Sequence, residues 1–320
     1  MARLAVRIEA RTERGTREGV LPLVRVCARH GAPALFLFAL GPDRMGRLAW
    51  RQWLGGRLVR RKAGAGPPPA GTGGWINGVL RPGPHLGRRH GSLLRQVRDQ
   101  GFDVGLLAYD AHRWLTRLPR LPIEQIRGDF NRAAAEFRRI FGGKPRLAGV
   151  PDWQCNARIL QVYDEAALLL ASDTRGRAPF VPVIGGREFR TPQFPTTLPT
   201  LGEMMARAEL PDTRLLEFFV ERIAAGGDQV LTVQAEVEGL AHPGFFERVL
   251  TESLARGVTF WSLREEAERH ARRGLMDLPR DGIELQPVPG REGRVAIQAS
   301  AVMARSEADL KSRPPWARRS

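Results

Sequence analysis

Cysteine, lysine and tyrosine are all scarce in this chain. Two cysteines, Cys27 and Cys155, are too few for a cysteine-rich zinc site or a disulfide framework, and their scarcity fits a reducing compartment. Long hydrophobic runs are missing as well: the longest, residues 31–42, is too short to cross a bilayer. The first residues, Met1-Ala-Arg-Leu-Ala-Val-Arg-Ile, carry charge where a secretory signal needs an unbroken apolar stretch. A cytoplasmic location is therefore expected. Aromatic residues make up 7%, and no helix-turn-helix, zinc-finger or RNP-like motif is visible, so no nucleic-acid partner is expected despite the basic charge.

What is present is a globular composition: 320 residues, 42% hydrophobic and 26% charged, enough for one large α/β domain or two small ones. Lysine and arginine number 50 against 34 acidic residues, giving a net charge of +16. Only Lys62, Lys144 and Lys311 are lysine, a bias that a GC-rich genome produces without function. The distribution says more, because residues 44–98 hold twelve basic residues and no acidic one. Such a segment attracts lipid phosphates or another phosphorylated ligand.

Strand-like and helix-like runs alternate along the chain. Residues 4–8 read as a strand, 20–30 as a helix ended by Gly31, and 34–39 as a strand covered on both faces. Residues 93–100 read as a helix, 104–108 as a strand, and 123–141 as a long amphipathic helix. Further strands are expected at 168–171, 229–233 and 258–262, with helices at 215–225 and 245–256. This order predicts a mostly parallel sheet or barrel with its site at the C-terminal strand ends. The Gly/Pro-rich stretch 64–74 reads as a mobile loop within a basic insertion at about 44–98, and residues 281–320 as an irregular, disordered basic tail.

Several motifs occur in the order in which one family carries them: Arg7-Ile-Glu-Ala-Arg-Thr, Arg14-Gly-Thr-Arg-Glu-Gly, Gly41-Pro-Asp-Arg-Met-Gly-Arg, Ser172-Asp-Thr-Arg-Gly, Pro192-Gln-Phe-Pro-Thr-Thr-Leu-Pro-Thr and Ala235-Glu-Val-Glu-Gly. They resemble the polysaccharide deacetylases, nearest the deformylases of undecaprenyl-phosphate-linked formamido-arabinose, which serve lipid A modification. The resemblance implies a distorted (β/α)7 barrel over residues 1–280. It also implies a divalent metal held by one Asp and two His, a carboxylate base and a catalytic His.

Here those positions have changed. The base position is Glu9, but the metal-ligand position beside it is Arg11, which has no lone pair to give. The two His ligand positions are Leu107 and Ala111, and the catalytic His position is Gln234. No metal cofactor is expected. His112 adjoins a ligand position but points elsewhere, and His30, His85, His90, His242 and His270 read as scattered surface residues. Substrate-facing positions persist by resemblance at Asp173, Arg175, Glu236, Glu238 and the groove tryptophan, Trp153. Arg11, Arg17, Tyr109 and Asp110 join them as candidate binding residues, with Arg11 placed to neutralise Glu9 and Asp173 or to dock an anion.

Trp50, Trp53, Leu54 and Leu58 stand at helical spacing among arginines that include Arg57, Arg60 and Arg61, a pattern for an anionic membrane surface. The leading expectation is a non-hydrolytic protein, peripheral on the cytoplasmic face of the membrane, that binds a lipid-linked amino sugar or pairs with an active relative. The alternative is an active deformylase or deacetylase using Glu9, Asp173 and His112 with a relocated or metal-free site.

Overall fold

The computed structural model describes residues 1–48, 50, 77, 79, 82–207, 212–291 and 293–303. Its strands are β1 (Ala2–Ala10), β2 (Ala34–Ala39), β3 (Asp103–Ala108), β4 (Leu147–Ala148), β5 (Leu170–Ala171), β6 (Val181–Ile184), β7 (Arg187–Glu188), β8 (Gly227–Gln234), β9 (Thr259–Phe260), β10 (Arg280–Asp281), β11 (Ile283–Pro287) and β12 (Arg294–Gln298). Its helices are α1 (Val20–His30), α2 (Leu86–Asp99), α3 (Ala111–Arg117), α4 (Ile123–Phe141), α5 (Ala157–Glu165), α6 (Leu201–Arg207), α7 (Asp212–Ala224), α8 (Pro243–Ala255) and α9 (Leu263–Arg272).

The main sheet is parallel throughout, ordered β5-β4-β3-β2-β1-β8, with β9 also paired to β1. It curls into the expected (β/α)7 barrel. The gap between β5 and β8 is closed by the irregular segment 192–198. There Phe194 N–H donates to Ala171 O at 2.8 Å and Thr197 N–H donates to Val230 O at 3.2 Å. Pro192 and Pro195 have no N–H to give, so this side of the wall cannot become a regular strand.

Alternation along each strand sorts side chains into two layers. Ala5, Leu35, Leu37, Leu107, Leu147, Leu170, Phe194 and Val230 form one buried cluster in the barrel interior. Their neighbours Leu4, Val6, Phe36, Leu106, Ala171 and Leu231 belong to the layer under the helices. This parity places Arg7 and Glu9 inside the barrel with Ala5, and Thr232 and Gln234 inside with Val230.

Three expectations need correction. Residues 283–298 are not irregular: β11 and β12 pair as an antiparallel hairpin, because Val295, Ala296 and Ile297 are apolar enough to bury. The region 44–98 is not wholly an insertion either, since α2 packs Leu86, Leu94 and Val97 into the main core. Finally, His90 and His270 are buried rather than on the surface, each beside carboxylates: Glu13 for His90, Asp277 and Glu266 for His270. Trp50 is half-buried. Trp53, Arg57, Arg60, Arg61, the loop at 64–74 and the end of the tail lie outside the described residues.

Candidate functional site

At the C-terminal end of the barrel the charged residues form one alternating chain. Arg7, wholly buried, reaches Glu9 Oε1 with Nη1 and donates from Nη2 to Ser172 O at 3.1 Å. At position 149 a Cβ would stand 2.6 Å from Leu37 Cδ1 and 2.8 Å from that Nη2, so glycine there leaves Arg7 its room. Glu9 Oε2 accepts from Arg11 Nε at 2.6 Å, and Arg11 Nη2 lies 2.8 Å from Asp152 Oδ1. Asp152 Oδ1 meets Arg291 Nη1 at 2.7 Å, Arg291 Nε meets Glu203 Oε1 at 3.0 Å, and Glu203 accepts from Arg175 Nη1 at 3.0 Å. The order is Arg7, Glu9, Arg11, Asp152, Arg291, Glu203, Arg175.

Trp153 lies at the heart of this chain and is fully buried. The guanidinium carbons of Arg175 and Arg291 are each 4.7 Å from its ring centre. Its indole N–H donates to Thr196 Oγ1 at 3.2 Å, and Thr196 Oγ1 lies 2.8 Å from Thr232 Oγ1. Asp152 and Trp153 both have φ +53°, a left-handed backbone that costs of order 1–3 kcal/mol per non-glycine residue and persists only where contacts impose it.

The electrostatics follow from burial and pairing. Burial alone would raise Asp152, but Arg11 and Arg291 outweigh it and hold this carboxyl well below the usual range. Glu203 is lowered in the same way, with Arg175 and Arg291 overcoming burial. Burial works against the charge on Arg11, yet Asp152 and Glu9 lift its pKa above the ordinary arginine value.

Asp173 differs. Its Oδ2 accepts from Gln193 Nε2 at 3.2 Å, while Oδ1 is buried without a hydrogen-bond partner, and burial pushes this carboxyl up to about 7. Arg11 makes no ion pair with it. Glu236 Oε1 accepts from Arg11 N–H at 2.8 Å and from Thr12 N–H and Oγ1 at 2.9 Å, and burial raises its pKa. Glu238 accepts from Gln234 N–H at 2.8 Å and faces a small apolar pocket lined by Leu201, Phe219, Leu231 and Val233, where burial pushes it up to about 7.

Glu9, Arg11, Trp153 and Arg175 are thus brought together, with Glu236 bonded to the Arg11 backbone and Gln234 beside Glu9 in register, while Tyr109, Asp110 and Arg17 stand apart. Asp110 caps α3, accepting from Arg113 N–H at 2.9 Å, and pairs with Arg44 at 2.7 Å. Tyr109 lies under the Arg132 guanidinium at 4.9 Å, and Arg17 is half-exposed beside Glu13. Arg7, Asp152, Glu203 and Arg291 were not singled out from the sequence. Strand alternation with Ala5 and Glu9 was a usable signal for Arg7; the other three had none.

The residues present do not suit the divalent metal that the resemblance implies. Arg11 supplies a cation in place of a ligand, Leu107 lies in the apolar barrel interior, and Ala111 has no donor atom. Among the described residues no group of three His, Cys, Asp or Glu side chains is arranged to hold a metal. Nor, among them, is any helix long and apolar enough to cross a membrane.

Comparison with known proteins gives the fold and sequence kinship. No family model matches the chain. A 4-deoxy-4-formamido-L-arabinose-phosphoundecaprenol deformylase (ArnD) from Shewanella sediminis is 29% identical over 308 residues, covering 94% of this chain and 96% of the relative. Its counterpart from Wigglesworthia glossinidia brevipalpis is 24% identical over 291 residues, covering 90% and 99%. Among solved structures, a protein described as a polysaccharide deacetylase from Mycobacterium smegmatis superposes with a TM-score of 0.58 at 14% identity, covering 87% of this chain and 93% of the other. One from Pseudomonas aeruginosa gives 0.54 at 14% identity, covering 85% and 92%.

The chain therefore has the fold of the solved polysaccharide deacetylases. In sequence it is similar, over nearly its whole length, to proteins named as ArnD deformylases.

Proposed function

We propose that this protein is a non-hydrolytic member of its branch, which binds a polyprenyl-phosphate-linked amino sugar at the cytoplasmic membrane surface or pairs there with an active relative. Its setting would be lipid A or cell-envelope glycolipid modification. The observation that carries this reading is the seat of Arg11, whose guanidinium bridges Glu9 and Asp152 where the family places a carboxylate ligand. Without a metal to polarise the amide and without a proton donor at Gln234, rate enhancement through those two routes is lost, each being worth about a hundredfold or more. The names of the ArnD relatives supply the ligand class.

The test is formate release from undecaprenyl-phosphate-linked 4-formamido-arabinose in vesicles. The native chain is expected to bind these vesicles more tightly than sugar-free ones and to release no formate. The variant R11D/L107H/A111H/Q234H is expected to gain stoichiometric zinc or cobalt, read by elemental analysis. Formate release by the native chain that disappears with Glu9→Gln would establish the alternative, an active enzyme with a metal-free or relocated site.

A further inference from the structure

Of the seven residues in the charge chain, only Arg291 comes from outside the barrel. It sits in the turn between β11 and β12, its side chain 12% exposed, and this turn includes Gly290 and Gly293 at φ +82° and +79°. Losing Arg291 also strands no carboxylate of the chain. Without it, Asp152 keeps Arg11, Glu203 keeps Arg175, and Glu9 keeps Arg7 and Arg11.

Its seat has a defined chemistry. One carboxylate oxygen from Asp152 at 2.7 Å, one from Glu203 at 3.0 Å and the Trp153 ring at 4.7 Å together make a recognition set for a compact organic cation. With the turn seated, Trp153 is closed off: Val288, Val295, Ile297 and Ala301 cluster with it. The loop beneath is held in left-handed backbone at Asp152 and Trp153, as expected of a segment clamped from above.

We propose that the turn bearing Arg291 is a strap. Its guanidinium fills, from within the same chain, the seat for the ammonium group of an amino sugar, and the ligand enters when the turn swings out about Gly290 and Gly293. The hairpin need not unfold for this to happen. β12 stays bound through Arg175 N–H to Ala296 O and Gln298 N–H to Arg175 O, both 2.8 Å. This inference rests on the amino-sugar reading above and makes that reading specific for the protonated amine.

The probe is glucosamine, with N-acetylglucosamine as its uncharged counterpart. Binding is followed through the Trp153 indole N–H resonance, assigned by its loss in Trp153→Phe. Arg291→Ala is expected to bind glucosamine at least about tenfold more tightly than the native chain does, and to prefer it to N-acetylglucosamine by a similar factor. Adding Glu203→Gln to Arg291→Ala should remove that gain. In the native chain, saturating glucosamine should speed tryptic cleavage after Arg291, a reading that holds even if Arg291→Ala does not fold. Equal affinity for the two sugars, or cleavage unchanged by glucosamine, overturns the strap. Native protein that binds the lipid-linked sugar while failing these tests leaves the functional proposal standing alone. A glucosamine response without lipid-linked sugar binding removes that proposal and leaves the cation seat.

Discussion

Arg11 puts a fixed cation between two carboxylates. Its guanidinium is buried between Glu9 and Asp152, so deleting it removes one of two cations from each carboxylate and leaves Glu9 to Arg7 and Asp152 to Arg291. Arg11→Met is expected to destabilise the fold by about 1–3 kcal/mol, read from urea unfolding at neutral pH. Asp173 gives a prediction of a different kind. Its folded pKa, about 7, stands above the 3.8 of an ordinary aspartate, so between those values the folded chain keeps a proton that the unfolded chain releases. Its contribution is full below pH ~4 and is lost as the pH rises through about 7. Asp173→Asn should therefore flatten the fall in stability between pH 5 and 8, by an amount on the order of 1–3 kcal/mol. Glu238, also raised to about 7, carries the same sign and keeps part of the slope. Asp152 and Glu203 are held low, so they contribute no slope in this window.

At the level of elements, close approach sets the limits. The turn Gly15–Gly19 packs on the end of β8 so tightly that a Cβ on Gly19 would stand 2.1 Å from Ala235 O. Gly19→Ala is expected to cost about 1–3 kcal/mol and to lower the melting temperature measurably by calorimetry, because both partners are backbone and neither can step aside. Helices α1 and α4 were legible to the residue. Apolar spacing runs through each, and Gly31 and Gly142, at φ +62° and +82°, stop them. β4 is two residues long, too short for any period to register, whereas β5, equally short, falls inside the strand expected at 168–171. α5 and α9 escaped notice, and so did the β11–β12 hairpin, whose stretch was read as tail. At the site, Glu9, Arg11 and Arg175 could be found from motif position. Asp152, Glu203 and Arg291 could not, since their meeting depends on loops brought together from distant parts of the chain. No local pattern encodes such a meeting.

For the whole molecule, the net charge of +16 and the acid-free stretch 44–98 predict binding to vesicles containing phosphatidylglycerol, with each basic residue near the surface worth about 1 kcal/mol at low salt. The bound fraction in a sedimentation assay should fall steeply as sodium chloride rises. It should fall again, at constant salt, for the double substitution Trp50→Ala and Trp53→Ala. Tight salt-sensitive binding to DNA with no vesicle binding would overturn the membrane-surface reading.

The place of β1 in the sheet has a consequence in time. Of the strands in the main sheet β1 is synthesised first, yet it is an interior strand, bonded to β2 on one side and to β8 on the other, with Arg3 paired to Asp228 across 225 residues of sequence. One edge of β1 thus goes without its partner until most of the chain has been synthesised, and a large loop must close before that pairing repays its entropy. Closure of the barrel is a late step, and until then the nascent protein carries an open strand edge, the kind of surface on which chaperones act.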